Sequence, residues 1–117
     1  MEMSFKAGQT IITQGDPAME AYLIEEGQVK VVLDKDGKQT VLAELGDGEI
    51  FGETALFKGS DYGASVEATT DTKLVVITPD VLDSKIKACD PVLRALIRMM
   101  MVRLRKANEA LAATHTG

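Results

Sequence analysis

This sequence predicts a mainly β fold closed by two α-helices, and three observations carry that reading. From Phe5 to about Thr78 the chain breaks into short β-branched segments separated by turn residues, at roughly 10-residue spacing, which is the pattern of an all-β sandwich or roll. After Pro79 the apolar residues recur every three or four positions instead of every two. No Gly or Pro interrupts the stretch between Pro91 and the terminal Gly117, which leaves room for a long last helix.

Taken in order, Thr10 to Gln14 forms the first β-branched run, closed by Gly15-Asp16-Pro17. Tyr22-Leu23-Ile24 and Val29 to Leu33 flank Glu25-Glu26-Gly27-Gln28, where Gly27 can supply the positive φ of a tight hairpin. Val29, Val31 and Leu33 are expected on one face and Lys30 and Asp34 on the other, with Val32 breaking the alternation. Asp34 to Lys38 reads as a solvated charged turn, followed by strands over Thr40–Leu45, Val66–Ala68 and Lys73–Ile77. The roll is thus expected over about 5–78 and the helices over about 80–113, within one domain spanning 1–117.

Asp80 to Ala88 predicts a short helix, and Asp90-Pro91 supplies an N-cap and a first-turn proline for a second. Leu93, Ile97, Met100, Leu104, Ala107 and Leu111 fall on one heptad stripe of that second helix. Leu93, Ile97, Met100 and Leu104 are expected to be mostly buried. The stripe either packs on the roll or, in part, joins a second subunit in a homodimer, which is where Ala107 and Leu111 would find cover.

Composition removes several function classes. The chain has 117 residues, 45% of them hydrophobic and 26% charged, so it can bury a core. Aromatics make up 4%, with no Trp, and the net charge is −5; neither suits stacking on single strands or gripping a phosphate backbone or an anionic membrane. No apolar run approaches a membrane span and no signal peptide is visible. The lone Cys89 reads as a small apolar helix residue, and the lone His115 as part of a solvated tail, so neither a disulfide nor a histidine-built metal site is expected. A cytoplasmic, non-enzymatic protein without cofactor fits these facts.

The informative stretch runs from Gly48 to Ala68. Phe51 ends a strand, Gly52 lets the backbone turn tightly, and Glu53-Thr54-Ala55-Leu56 can form one helical turn whose first N–H groups favour an anion. Gly63-Ala64-Ser65 supplies small residues that let a second stretch of backbone approach the same ligand. Glu53 suits such a site if the ligand has a hydroxyl to donate beside its phosphate, and is otherwise a surface charge.

In order and spacing these residues resemble the cyclic-nucleotide-binding domain family of catabolite-activator-type regulators, cyclic-nucleotide-dependent kinases and gated channels. The resemblance covers nearly the whole chain. It runs through Phe5-Lys6-Ala7-Gly8, Ile11, Gly15-Asp16, Tyr22-Leu23-Ile24, Gly27-Gln28-Val29, Gly37, Leu42, Leu45 and Gly48. It is densest at Phe51-Gly52-Glu53-Thr54-Ala55-Leu56, which matches the phosphate-binding cassette, and at Ala64-Ser65-Val66-Glu67-Ala68, which matches its exit strand. Arg103-Leu104 resembles a pair in the family's last helix. The resemblance implies a β-roll of jelly-roll type (a double-stranded β-helix) followed by two helices, with cAMP or cGMP as ligand. It gives Glu53 the ribose 2′-hydroxyl, the backbone around Gly52 and Gly63 to Ala64 the cyclic phosphate, and Asn108 a place near the base.

One departure stands out. Where the family's cassette carries Pro-Arg, this chain has Asp61-Tyr62. Tyrosine offers one neutral donor and lacks the charged fork of guanidinium. Losing such a contact costs about 1.5–3 kcal/mol, or roughly tenfold to a hundredfold in affinity. Lys58 is the nearest basic residue in sequence. Two functions compete: a sensor that binds cyclic nucleotide weakly and signals through its last helix, or a degenerate roll serving dimerisation or docking, with the Tyr62 ring filling the phosphate end. The resemblance lacks a helix ahead of the first strand and a DNA-reading helix-turn-helix after the last helix, as expected of a stand-alone sensor or a module of a larger protein. A metal-dependent enzyme on a similar roll would need histidines that the sequence does not have.

Overall fold

The alternating segments pair as antiparallel strands in two four-stranded sheets. The computed structural model describes residues 1–56 and 61–115, with side chains as far as 107. Strands β1 (Glu2–Phe5), β8 (Thr72–Ile77), β3 (Ala21–Glu26) and β6 (Ile50–Phe51) form one sheet, neighbours in that order. Strands β2 (Thr10–Ile12), β7 (Ser65–Ala68), β4 (Val29–Lys35) and β5 (Lys38–Leu45) form the other. This order, in which strands adjacent in sequence mostly lie in different sheets, is that of a jelly roll, the architecture expected from the sequence. The chain divides into two compact units, Met1–Pro79 and Asp80–Gly117.

The β unit starts earlier than expected. Glu2 to Phe5 pair with Val75 to Thr72, and the Val76 N–H reaches the Met1 carbonyl at 2.9 Å. The stretch over Asp34 to Lys38 is also more strand than turn. Lys35 pairs with Lys38, and only Asp36 (φ 55°) and Gly37 (φ 77°) turn the chain, as a two-residue type I′ hairpin demands.

Gly27 does not make a hairpin. β3 and β4 belong to different sheets, so Gly27 (φ 121°) is a corner between them. A Cβ there would lie 2.5 Å from Thr72 Oγ1 and 2.7 Å from the Asp71 carbonyl oxygen, so close approach as well as φ demands glycine. A local turn signal reveals that the chain reverses, but not which strand each arm will pair with. Val29 belongs to the core cluster and Val31 packs against it, as strand alternation implies, while Val32 is buried outside that cluster. Val31 faces Ala43 and Val32 faces Val41, so Leu42 is an extra residue on β5, a bulge.

Between the sheets, Ile24, Val29 and Leu74 are fully buried, with Ile12, Val66 and Val76 packed around them. Tyr22 and Phe51 stack within the same cluster, ring centroids 5.3 Å apart. This core holds the strand ends that build the cavity described below.

Two helices follow, α1 (Pro79–Lys87), whose first residue ends the β unit, and α2 (Pro91–His115). Asp90 caps α2 as its sequence position implies: its Oδ1 accepts from the N–H groups of Val92 (2.8 Å) and Leu93 (3.2 Å). Cys89 is half-buried and its thiol lies 3.4 Å from the Lys85 carbonyl, in keeping with a helix-end residue. The expected burial of the stripe is not found. Leu93, Met100 and Leu104 are 51%, 58% and 54% exposed, Ala107 is exposed and Ile97 is half-buried. A second row, Val92, Leu96 and Met99, is exposed beside it. Periodicity shows which residues share a face of a helix; it does not supply a surface to cover them. Leu111 and the side chain of Asn108 lie outside the described residues.

Candidate ligand cavity

Two segments frame the candidate site. The first is anchored by β6, where Tyr22 pairs with Phe51 and Leu23 with Ile50. Gly52 follows with φ 75°, and a Cβ there would sit 3.1 Å from Ile12 Cδ1 and 3.2 Å from the Glu20 carbonyl oxygen. Only glycine turns the backbone here without strain. Glu53–Leu56 then form a single 3-10 turn, with the Ala55 N–H donating to the Gly52 carbonyl at 3.2 Å. The short helical turn read from the sequence is therefore present, at the end of a buried strand.

The second segment, Tyr62-Gly63-Ala64, leads into β7. Its backbone is tied down: the Tyr62 N–H donates to the Asp16 carbonyl and the Gly15 N–H to the Tyr62 carbonyl, both at 2.9 Å, beside a Pro17–Asp61 bridge. The Tyr62 hydroxyl is also committed. It donates its proton to the Glu20 carbonyl oxygen and accepts from the Glu20 N–H at 3.3 Å. A phenol has one proton, so Tyr62 in this arrangement has none left for a phosphate. Its ring packs against the core and forms part of the cavity wall. Burial, reinforced by Glu20 and Tyr62, pushes the neighbouring Tyr22 hydroxyl up to about 12, so it stays protonated.

Between the two segments lies a cavity of about 440 Å³. Of the residues singled out from sequence, Phe51, Gly52, Glu53, Thr54, Tyr62, Gly63 and Ala64 line it together. Ala55 does not, being buried behind the 3-10 turn. Ser65 does not either: strand alternation sends Val66 inward, while Ser65 Oγ accepts from the Gln14 N–H at 2.9 Å. Asn108 and Lys58 lie outside the residues whose side chains are described. Sequence analysis missed the apolar wall of Leu42, Ala43, Leu45 and Ile50. Its one legible signal was an apolar Ile50 just after the Gly48 turn, and Leu42 and Ile50 both prove about half exposed. Among the described lining residues Glu53 is the sole charged side chain, and none is basic.

Gly63 contrasts with Gly52. A Cβ at Gly63 meets nothing within 4 Å, so open space, not crowding, surrounds it. Among the described residues no group of three or more His, Cys, Asp and Glu is placed to hold a metal, and no helix is long and apolar enough to cross a membrane.

A family model, described as the cyclic nucleotide-binding domain, matches residues 2–89 of this sequence. The chain belongs to that family. Among the cyclic nucleotide-binding domain's curated relatives, it is 30% identical over 111 residues to a CRP-like cAMP-activated global transcriptional regulator of Mycobacterium tuberculosis, covering 94% of this chain and 50% of that one. It is 46% identical over 66 residues to the type II regulatory subunit of cAMP-dependent protein kinase from Drosophila melanogaster, covering 56% of this chain and 18% of that one. The chain thus spans half the length of the mycobacterial relative and less of the kinase subunit. Among solved structures, a half-site-occupied form of the EAL enzyme Bd1971 superposes with a TM-score of 0.87 at 36% identity, covering 92% of this chain and 97% of that chain. The cAMP-bound form of the same enzyme gives a TM-score of 0.69 at 34% identity over 99% of this chain and 32% of that chain. The cyclic nucleotide-binding domain therefore occurs beside regulators and beside an enzyme.

Proposed function

We propose that this chain is a cytoplasmic, non-catalytic sensing module that takes a cyclic nucleotide, cAMP or cGMP, into its cavity with modest affinity and signals through α2. One observation carries the reading: the roll brings Gly52-Glu53-Thr54 and Tyr62-Gly63-Ala64 together on one cavity of about 440 Å³. The support from relatives is that Bd1971 has been solved with cAMP and with cGMP bound. In this reading Glu53 accepts from the ribose 2′-hydroxyl, and backbone N–H groups near Gly52, Gly63 and Ala64 face the phosphate. With Tyr62 in place of a guanidinium, cAMP is expected to bind in the tens of micromolar, on the order of −6 kcal/mol. Calorimetric titration with cAMP and cGMP checks this. Tyr62→Arg should tighten cAMP binding about tenfold by adding a bidentate, charged contact. Glu53→Ala should weaken ribose-dependent binding with the fold unchanged, since an exposed carboxylate in a one-turn helix carries little stability. Submicromolar binding by the unaltered chain, insensitive to Tyr62→Arg, would show that another group holds the phosphate.

Signalling requires that the ligand favour one arrangement of α2 over another. The exposed rows on α2 support a homodimer in which they meet. Sedimentation of the chain against a Leu93→Glu, Leu104→Glu double variant tests this, and a strict monomer in both at high concentration removes the dimer. The second reading, a roll that docks or dimerises without nucleotide, is favoured by the committed Tyr62 hydroxyl. No heat of binding with either cyclic nucleotide would select it.

A further inference from the structure

We infer that Gln14 is a positioning residue for the cavity: its side chain takes the place beside β4 that Gly63 would otherwise fill, and so keeps Gly63-Ala64 out of the sheet and on the cavity wall. The consequence for affinity rests on the reading of this cavity as a cyclic nucleotide site; the placement itself does not.

Register is the first argument. β7 pairs with β4 as Ala68 with Val29, Glu67 with Lys30, Val66 with Val31 and Ser65 with Val32. Carried on by two residues, the same ladder would set Ala64 opposite Leu33 and Gly63 opposite Asp34. It stops at Ser65 instead, and Gly63 and Ala64 line the cavity.

The group that meets Asp34 in place of Gly63 is the carboxamide of Gln14. The Asp34 N–H donates to Gln14 Oε1 at 2.9 Å, and Gln14 Nε2 donates to the Asp34 carbonyl at 3.0 Å. A primary amide carries a donor and an acceptor side by side, as a strand residue does in a hydrogen-bonded pair. The half-buried Gln14 therefore stands in for one rung of the ladder.

The ties on either side are the third argument. The Gln14 N–H donates to Ser65 Oγ at 2.9 Å. Next along the chain, the Gly15 N–H donates to the Tyr62 carbonyl and the Asp16 carbonyl accepts from the Tyr62 N–H, both at 2.9 Å. Residues 14–16 thus hold Ser65 and Tyr62, and Gly63-Ala64 arch between those two fixed points. Glycine suits either arrangement, since a Cβ at Gly63 meets nothing within 4 Å.

The test compares the full, ligand-free chain with Gln14→Ala and the milder Gln14→Asn, which is one methylene shorter, after circular dichroism has checked both folds. With the rung vacated, Gly63 should pair with Asp34. Amide hydrogen exchange at Gly63 should then slow by about tenfold or more. A nuclear Overhauser contact should appear between the α-protons of Leu33 and Ala64, which become a close, non-hydrogen-bonded pair in the lengthened ladder. A residue that only stabilised the fold would speed exchange at Gly63 when removed. By calorimetry, cAMP binding should weaken about tenfold in both variants, for the backbone contacts withdrawn from the cavity. If Gly63 exchanges at its original rate or faster in both variants and no Leu33–Ala64 contact appears, the inference fails whatever cAMP does. If the ladder lengthens while the variants keep the cAMP affinity of the unaltered chain, Gln14 has no part in binding and the inference fails as well. If the unaltered chain binds no cyclic nucleotide, the cyclic nucleotide reading fails, and the exchange rate and the Overhauser contact decide the inference by themselves.

Discussion

The β unit and α2 use similar apolar residues to opposite ends. In the β unit Ile24, Val29 and Leu74 are closed off from water by two sheets, and even the half-polar Tyr22 is drawn inside. Along α2, Leu93, Leu96, Met99, Met100 and Leu104 remain largely open. Burial of a leucine is worth about 1.5–3 kcal/mol, so the β unit realises that stabilisation within itself and the helix leaves much of it unused. Two paired sheets give each strand a surface to cover its apolar side, whereas the apolar rows of α2 are left exposed.

The sharpest way to break this comparison is to truncate one leucine in each region. Leu74→Ala should cost about 2–5 kcal/mol by denaturant unfolding, since it opens a void among residues that cannot collapse onto it. Leu104→Ala should stay within about 0.5 kcal/mol for the monomer, being half exposed already. Equal losses at the two sites would mean that the helix is as deeply built in as the core.

Next in size is a pH effect confined to the β unit. The Tyr22 hydroxyl titrates near 10.0 in the unfolded chain and about 12 in the folded one, so the native state holds its proton more tightly. The stability this represents is fully present below pH 10 and is lost as the pH climbs through 12. Unfolding free energy should therefore decline over that window, and Tyr22→Phe should flatten the decline. An identical alkaline decline in Tyr22→Phe would assign it to other groups.

The smallest expected effects separate the two walls of the cavity. Gly52→Ala forces a Cβ onto a backbone with φ 75° and against Ile12 and the Glu20 carbonyl, at a cost of about 1–3 kcal/mol. Gly63→Ala meets open space and should be neutral or stabilising by about 0.5 kcal/mol. Thermal unfolding distinguishes them, and a destabilised Gly63→Ala would show that the second wall is as constrained as the first.

Much of this architecture was legible from local patterns. Strand spacing, the Asp36-Gly37 turn, the Asp90-Pro91 helix start and the Gly52-Glu53 turn all depend on interactions within a few residues, which the sequence encodes directly. The family's motif order, read from the same residues, located the two segments that face the cavity. What adjacent residues do not encode is pairing at a distance. Only the tertiary structure decided that Gly27 is a corner, that a bulge at Leu42 shifts the β4–β5 register, and that Leu42, Leu45 and Ile50 complete the cavity wall. It also decided the chemistry of Tyr62. The sequence showed a phenol where a guanidinium was expected; the fold carried the Glu20 backbone alongside it and took its proton, because a partly buried hydroxyl bonds to whichever carbonyl the packing brings within reach.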